Sequence, residues 1–261
     1  MRIFIGRNRV LKYSIFKNCI AWAAALLTML VVWVILHAAV GNELVFPAFF
    51  DCVKQAVALL QTGGFWKSLL HTFLRTLGAF GISFILAAIL AVLSYMLPTF
   101  GRFFAPFAAA MRAMPTLAVL LLILLWAKAA IAPVVVATLT LLPMLYAGFL
   151  AAIARTDKNL LEMSRVYQVP WKKRLMKLYL PTVAPYAVKE GTAALSLGLK
   201  LVASAEVLAA TAVGLGGMMQ ESKIYLDVPR LFALVIVTVC IGLIVELIGG
   251  AIARAAERRW A

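Results

Sequence analysis

Three stretches of this chain run on without an ionised side chain: Asn18 to Asn42, Thr76 to Gly101 and Ala129 to Ala154, of 25, 26 and 26 residues. About 20 apolar residues carry a helix across the hydrocarbon of a bilayer. No water is available there to satisfy backbone amides, so segments of this kind must be helical. Composition agrees, with 65% of residues hydrophobic and 13% charged, where soluble domains are about a quarter charged. The expected fold class is all-α, a polytopic membrane protein of about six transmembrane helices, placed at roughly 20–40, 70–97, 106–126, 131–153, 183–213 and 230–252. The apolar run from Ile20 to Val40 exceeds the usual signal-peptide core of about 7–15 residues, so it is expected to be an uncleaved first span.

A net charge of +15 raises the question of nucleic acid, and the placement of the charge answers it. Five basic residues (Arg2, Arg7, Arg9, Lys12, Lys17) precede the first span, seven fall between Arg155 and Lys177, and Arg254, Arg258 and Arg259 close the chain. Basic residues gathered in alternate loops are the positive-inside bias of a membrane protein, not a nucleic-acid face. Both termini are expected in the cytoplasm. The expected organisation is a basic cytoplasmic segment 1–19, one transmembrane domain 20–252 that includes a cytoplasmic loop at 155–181, and a cytoplasmic tail 253–261. Cys19, Cys52 and Cys240 have neither metal spacing nor a paired framework and read as small hydrophobes.

The loop 155–181 is patterned. Asp157 can cap a helix whose apolar positions Leu160, Leu161, Met163 and Tyr167 recur three and four apart. Pro170 suits the first turn of a second helix, where its missing N–H costs nothing. In that helix Trp171, Leu175, Leu178 and Tyr179 form one stripe and Lys172, Lys173, Arg174 and Lys177 the other, with Pro181 expected to end it. Two short helices joined at Gln168–Val169 make a compact elbow. The pattern alone suits either a basic face lying on anionic lipid or a protein-docking surface.

The elbow resembles the "EAA" coupling loop of ABC-importer permeases: a Glu with small residues, a Gly six positions on, and a Leu-Pro thirteen beyond that. Glu162, Met163 and Ser164 fall on the triplet and Leu180-Pro181 on the Leu-Pro, while Gln168 stands where the family has Gly. Gly there supplies a positive φ at a helix end, so Gln168 must accept a strained turn or alter the angle of the elbow. The resemblance runs over roughly residues 65–259. "LHTFLRTLGAF" (70–80) is similar to the family's second-span opening, and "RAMPTLAVLLLILLW" (112–126) to the Arg-x-x-Pro element of nitrate, sulfonate and taurine-type permeases. "ASAEVLAATAVGLGGMMQES" (203–222) is similar to that branch's Ala-Glu-hydrophobic-Leu and Gly-Leu-Gly elements, while "AKAAIAP" (127–133) departs from its usual Phe-Gly turn.

The resemblance implies a type I ABC-importer permease of the bacterial inner membrane. Its partners would be a second permease copy forming a homodimer, two cytoplasmic ATPase subunits, and a periplasmic or lipid-anchored binding protein. ATP and Mg would be held by the ATPase, because this chain contains no G-x-x-x-x-G-K-[ST]. "GLGG" (214–217) lacks the following Lys and is expected to serve turn geometry. Met163, Tyr167, Trp171 and Leu175 would plug a groove of the ATPase. Glu162 would meet a basic group there, and Lys172, Lys173 and Arg174 acidic groups or lipid headgroups.

Charges inside spans are expensive and face cavities or partners. Lys200 and Glu206 stand six apart, about 240° round a helix, so they cannot pair with each other. Lining the pathway and bonding across helices are both open for Lys200, and the second is the expectation for Glu206. Arg112, Met114 and Pro115 sit where a proline can interrupt a helix and bare carbonyls to a cavity. The basic trio Arg75, Arg112 and Lys200 suits a small anion such as nitrate, a sulfonate or taurine; the alternative cargo is a neutral pyrimidine-type vitamin precursor. An ATP-independent carrier would show an inverted repeat, and an enzyme a nucleophile–base pair or ligand cluster. The sequence shows neither, and its two histidines, His37 and His71, have no paired-ligand spacing.

Overall fold

A computed structural model of the chain describes residues 24–260 apart from Leu26, without the side chains of Lys158 and 256–260. Every regular element in it is helical: α1 Leu27–Val40, α2 Phe49–Leu60, α3 Gly63–Met96, α4 Pro98–Ala113, α5 Thr116–Leu124, α6 Ala132–Ala154, α7 Lys158–Val166, α8 Trp171–Arg174 leading through a π turn Leu175–Tyr179 into α9 Leu180–Leu208, α10 Leu215–Ile224 and α11 Val228–Trp260. Four helices are long and apolar enough to cross a membrane: Gly63–Met96, Ala132–Ala154, Trp171–Leu208 and Val228–Ala255. The expected six-span count is not reproduced among the described residues. The span expected at 106–126 is a bent pair, α4 and α5 meeting at 91°, and makes a fifth if counted as one. Residues 20–23 and 26 of the first expected span lie outside the described residues, and α1 is short.

The interior follows from what lipid withholds. Between helices in a bilayer there is no hydrophobic drive, so close packing must supply the attraction, and small residues allow it. The buried face of α3 is such a stripe: Ser68, Thr72, Thr76, Ala79, Ser83, Ala87, Ala91 and Ser94 recur at three and four. It packs on α6, whose Leu141, Leu145, Tyr146 and Phe149 form a core with Ala87, Ala91 and Ala194 of α9. Two buried hydroxyls of this seam are satisfied, Ser83 donating to the Ala79 carbonyl (2.7 Å) and Tyr146 to Ser94 Oγ (2.9 Å). A second core joins Leu59 of α2, Phe65 of α3, Leu215 and Met219 of α10, and Leu234 of α11. Cys52 is buried as expected, whereas Cys240 is exposed on α11.

One expectation fails at Pro181. It does not end the elbow's second helix, which runs unbroken from Trp171 to Leu208. The π turn explains this, since the Leu180 N–H bonds to the Leu175 carbonyl, five residues back. That shift of register lets a proline enter without breaking the rod. Thr182 Oγ1 then donates to the Leu178 carbonyl (2.8 Å).

The antiparallel seam of α9 and α11 is close-packed at one glycine and open at the next. A Cβ on Gly249 would fall 2.8 Å from Thr192 Cβ, one on Gly242 would meet Lys200 Cε at 3.4 Å, and one on Gly250 would meet nothing within 4 Å. Gly249→Val should therefore cost about 1–3 kcal/mol by overpacking. Gly250→Val should be near neutral, and the thermal midpoint of the detergent-solubilised protein separates the two.

Candidate functional site

The elbow is built by capping chemistry. Asp157 accepts from the Asn159 N–H (2.8 Å) and starts α7. The helix ends in a paired turn: the Val169 N–H bonds to the Ser164 carbonyl (2.9 Å) and the Gln168 N–H to the Arg165 carbonyl (3.0 Å). This closure needs a left-handed residue, and Gln168 adopts it with φ 49°. Of the two expected outcomes, Gln168 thus takes the strained turn. Ser164 is buried with its hydroxyl on the Leu161 carbonyl (2.7 Å). Glu162, Lys172, Lys173 and Pro170 are exposed, and Arg174 Nη2 donates to the Val169 carbonyl (3.2 Å).

The expected plug of four apolar side chains is divided. Met163 and Tyr167 line a groove of about 380 Å³ between α7 and the basic face of the second limb, with Lys173 and Lys177. Trp171 and Leu175 line a different recess, beside Tyr95 of α3 and Tyr179. Met163, Val166 and Tyr167 are 55%, 78% and 73% exposed, so α7 presents an outward apolar face of its own.

At the break in the bent pair, Met114 and Pro115 are extended, with ψ 129° and 112°. Pro115 has no N–H to offer the Met111 carbonyl. A crevice of about 10 Å³, room for one water, lies there against Val136 and Thr140 of α6. Met114 is exposed at its rim, and Arg112 is exposed nearby in the chain but is not part of its lining. Lys200 is exposed on α9 and lines a cavity of about 200 Å³ with Ser204, Val235 and Thr238. No carboxylate pairs with it among the described residues.

Glu206 has a different setting. It is fully buried and its carboxylate is saturated: Arg75 Nη1 donates to Oε1, and Thr72 Oγ1 (2.7 Å) and the Gly216 N–H (3.1 Å) donate to Oε2. Arg75 also donates to the Val213 carbonyl (2.7 Å), and Thr72 Oγ1 accepts from the Leu215 N–H (2.8 Å). The carboxylate faces no open pathway; it binds α3, α9 and the start of α10 into one knot. The glycines of "GLGG" make room for it. Gly214 has φ 151°, and a Cβ on it would lie 2.5 Å from Glu206 Oε2. Sequence reasoning placed Arg75 among pathway cations and missed its partner, 131 residues away. The available signal was that an intramembrane acid requires a buried base.

The model for the inner membrane component of binding-protein-dependent transport systems matches residues 83–260, more than half of the chain, and the chain belongs to this family. Two solved structures share its fold. One is the MetNI methionine ABC transporter in an inward-facing conformation, with TM-score 0.61 and 20% identity, covering 74% of this chain and 94% of that one. The other is an amino acid ABC transporter with histidines, with TM-score 0.62 and 18% identity, covering 81% and 98%. No curated protein matches by sequence. The protein is a permease subunit of an ABC importer, a polytopic protein of the bacterial inner membrane.

Removing one partner of a buried pair strands the other charge, at about 3–5 kcal/mol. Glu206→Gln or Arg75→Gln should each lower the thermal midpoint sharply, and the double variant should lose clearly less than the sum of the two. Gln168→Gly should stabilise by about 1 kcal/mol through relief of the left-handed strain, measurable as slower proteolysis of the elbow.

Proposed function

We propose that this subunit admits a small solute when a separate ATPase, seated on the elbow 155–181, closes and pushes it. The observation that carries this reading is the apolar face of α7, where Met163, Val166 and Tyr167 stand exposed in a segment outside the membrane. Exposed apolar groups of this kind mark an interaction surface. Glu162 stands on the same helix, exposed and without a partner among the described residues, available to a cation on the ATPase. ATP and Mg would reside on that partner. A second copy of this chain would complete the pathway, and a binding protein would deliver solute outside. Motion passes inward through one continuous helix from Trp171 to Leu208, a rigid-body shift between two packings.

For the solute, Arg112 and Lys200 support a small anion of the nitrate, sulfonate or taurine kind. Arg75 no longer contributes, being neutralised by Glu206, and that neutralisation favours the alternative, a neutral solute such as a pyrimidine-type vitamin precursor.

In vesicles reconstituted with the ATPase and binding protein, Tyr167→Asp and Met163→Asp should each reduce ATPase co-purification and uptake on the order of tenfold or more, the loss typical of an interface anchor. Unchanged uptake would refute the docking role. Arg112→Gln with Lys200→Gln should impair an anionic solute more than a neutral one, and equal losses would remove the anion reading.

A further inference from the structure

Beneath the elbow, on the side away from the α7 face, a recess of about 390 Å³ opens between the ends of α3, α6 and α9. Its volume falls within the range of small-ligand sites, about 300–1,000 Å³. One wall is cationic: Arg165 of α7 and Arg174 of α8 both line it. Neither guanidinium has a carboxylate partner among the described residues, and Arg174 Nε is buried without a hydrogen bond. A second wall is aromatic, Trp171 lying 6.0 Å from Tyr179 and Tyr179 6.2 Å from Tyr95, centroid to centroid. The floor is apolar, formed by Val92, Met96, Ile153 and Val183. Val92 and Met96 are exposed on the outer surface of α3, and so is Leu180 on α9. The recess therefore opens sideways, at the level where these helices leave the membrane.

We propose that this recess binds an anionic phospholipid of the inner leaflet. An occupant must be anionic toward two arginines and apolar toward the floor, at interfacial depth. Guanidinium forks match phosphate oxygens in geometry as well as charge. Tryptophan and tyrosine settle at the headgroup level, and basic pockets between spans on the cytoplasmic side take acidic headgroups. A soluble anion satisfies the arginines and leaves the floor and the lateral opening without a function. The bound lipid would wedge the second limb of the elbow against α3 and set its resting angle. This site does not depend on an ATPase seated on α7.

Trp171 reports on the recess directly. The intact protein and its Trp171→Phe variant are reconstituted in vesicles containing phosphatidylglycerol or phosphatidylcholine with brominated acyl chains. The difference in quenching between the two proteins isolates Trp171. Each basic residue at an anionic surface contributes roughly fivefold, so phosphatidylglycerol should be preferred by about 30-fold, and Arg165→Gln with Arg174→Gln should bring that preference near unity. Met96→Glu, which places a negative charge in the recess without touching the arginines, should do the same, and retained elution on size exclusion verifies folding. Lys172→Gln with Lys173→Gln should leave most of the preference in place. Equal quenching by both lipids overturns the proposal, as does loss of preference in the lysine pair, which would show general surface attraction. Abolition of the preference by millimolar inorganic phosphate would assign the arginines to a soluble anion and also overturn it.

Discussion

A single buried carboxylate organises the outer half of this bundle. Glu206 sits where an isolated charge is intolerable, and it is accommodated because three helices each supply something to it: Arg75 and Thr72 from α3, a backbone N–H from α10, and its own place on α9. Such a pair adds little net stability over apolar packing of the same shape, since desolvation offsets most of the attraction. Its effect is on arrangement. Only one register of α9 against α3 satisfies every donor, and only glycine at 214 and 216 lets the connection come close enough. The short helix α10 is thereby held in the core formed by Leu215 and Met219 and does not float above the membrane.

Helix ends supply a second constraint, on both sides of the bundle. Three of them close with a non-glycine residue in the left-handed region, Gln168, Ala210 and Leu226. In each, the following N–H returns to a carbonyl five residues back: Val169 to Ser164, Thr211 to Glu206 and Asp227 to Ser222. That strain is tolerated where tertiary contacts over-determine the turn. Ala210 lies immediately beyond the Glu206 knot, which supplies such contacts.

Much of this was readable from the residues, and the remainder was hidden for physical reasons. Long uncharged runs allow only helix, so α3 and α6 stand close to their expected positions, and the apolar stretch at 230–252 likewise falls within α11. The elbow's first helix was visible through Asp157 and its apolar spacing. Three features were not visible. The break at Pro115 was expected, but its 91° angle goes with the packing of α5 against Ala132 and Val136, which no local rule contains. Pro181 was read as a terminator because a proline removes one hydrogen bond, but a π turn absorbs that loss and local sequence does not announce it. The Arg75–Glu206 pair joins residues too distant for any periodicity to connect them.

The unbroken helix from Trp171 to Leu208 has a mechanical meaning. At the α-helical rise it spans about 50 Å between Trp171 and Glu206, so the cytoplasmic elbow and the outer knot are the two ends of one stiff crowbar. A tilt of a few degrees at the inner end must appear as several ångströms of travel at the outer end, or else bend the shaft at its π turn. Along it the hydrogen-bond ladder is irregular near the inner end, at the π turn Leu175–Tyr179 and at Pro185, which lacks an N–H. Bending strain applied from the cytoplasm would therefore collect between Leu175 and Pro185, short of the outer knot.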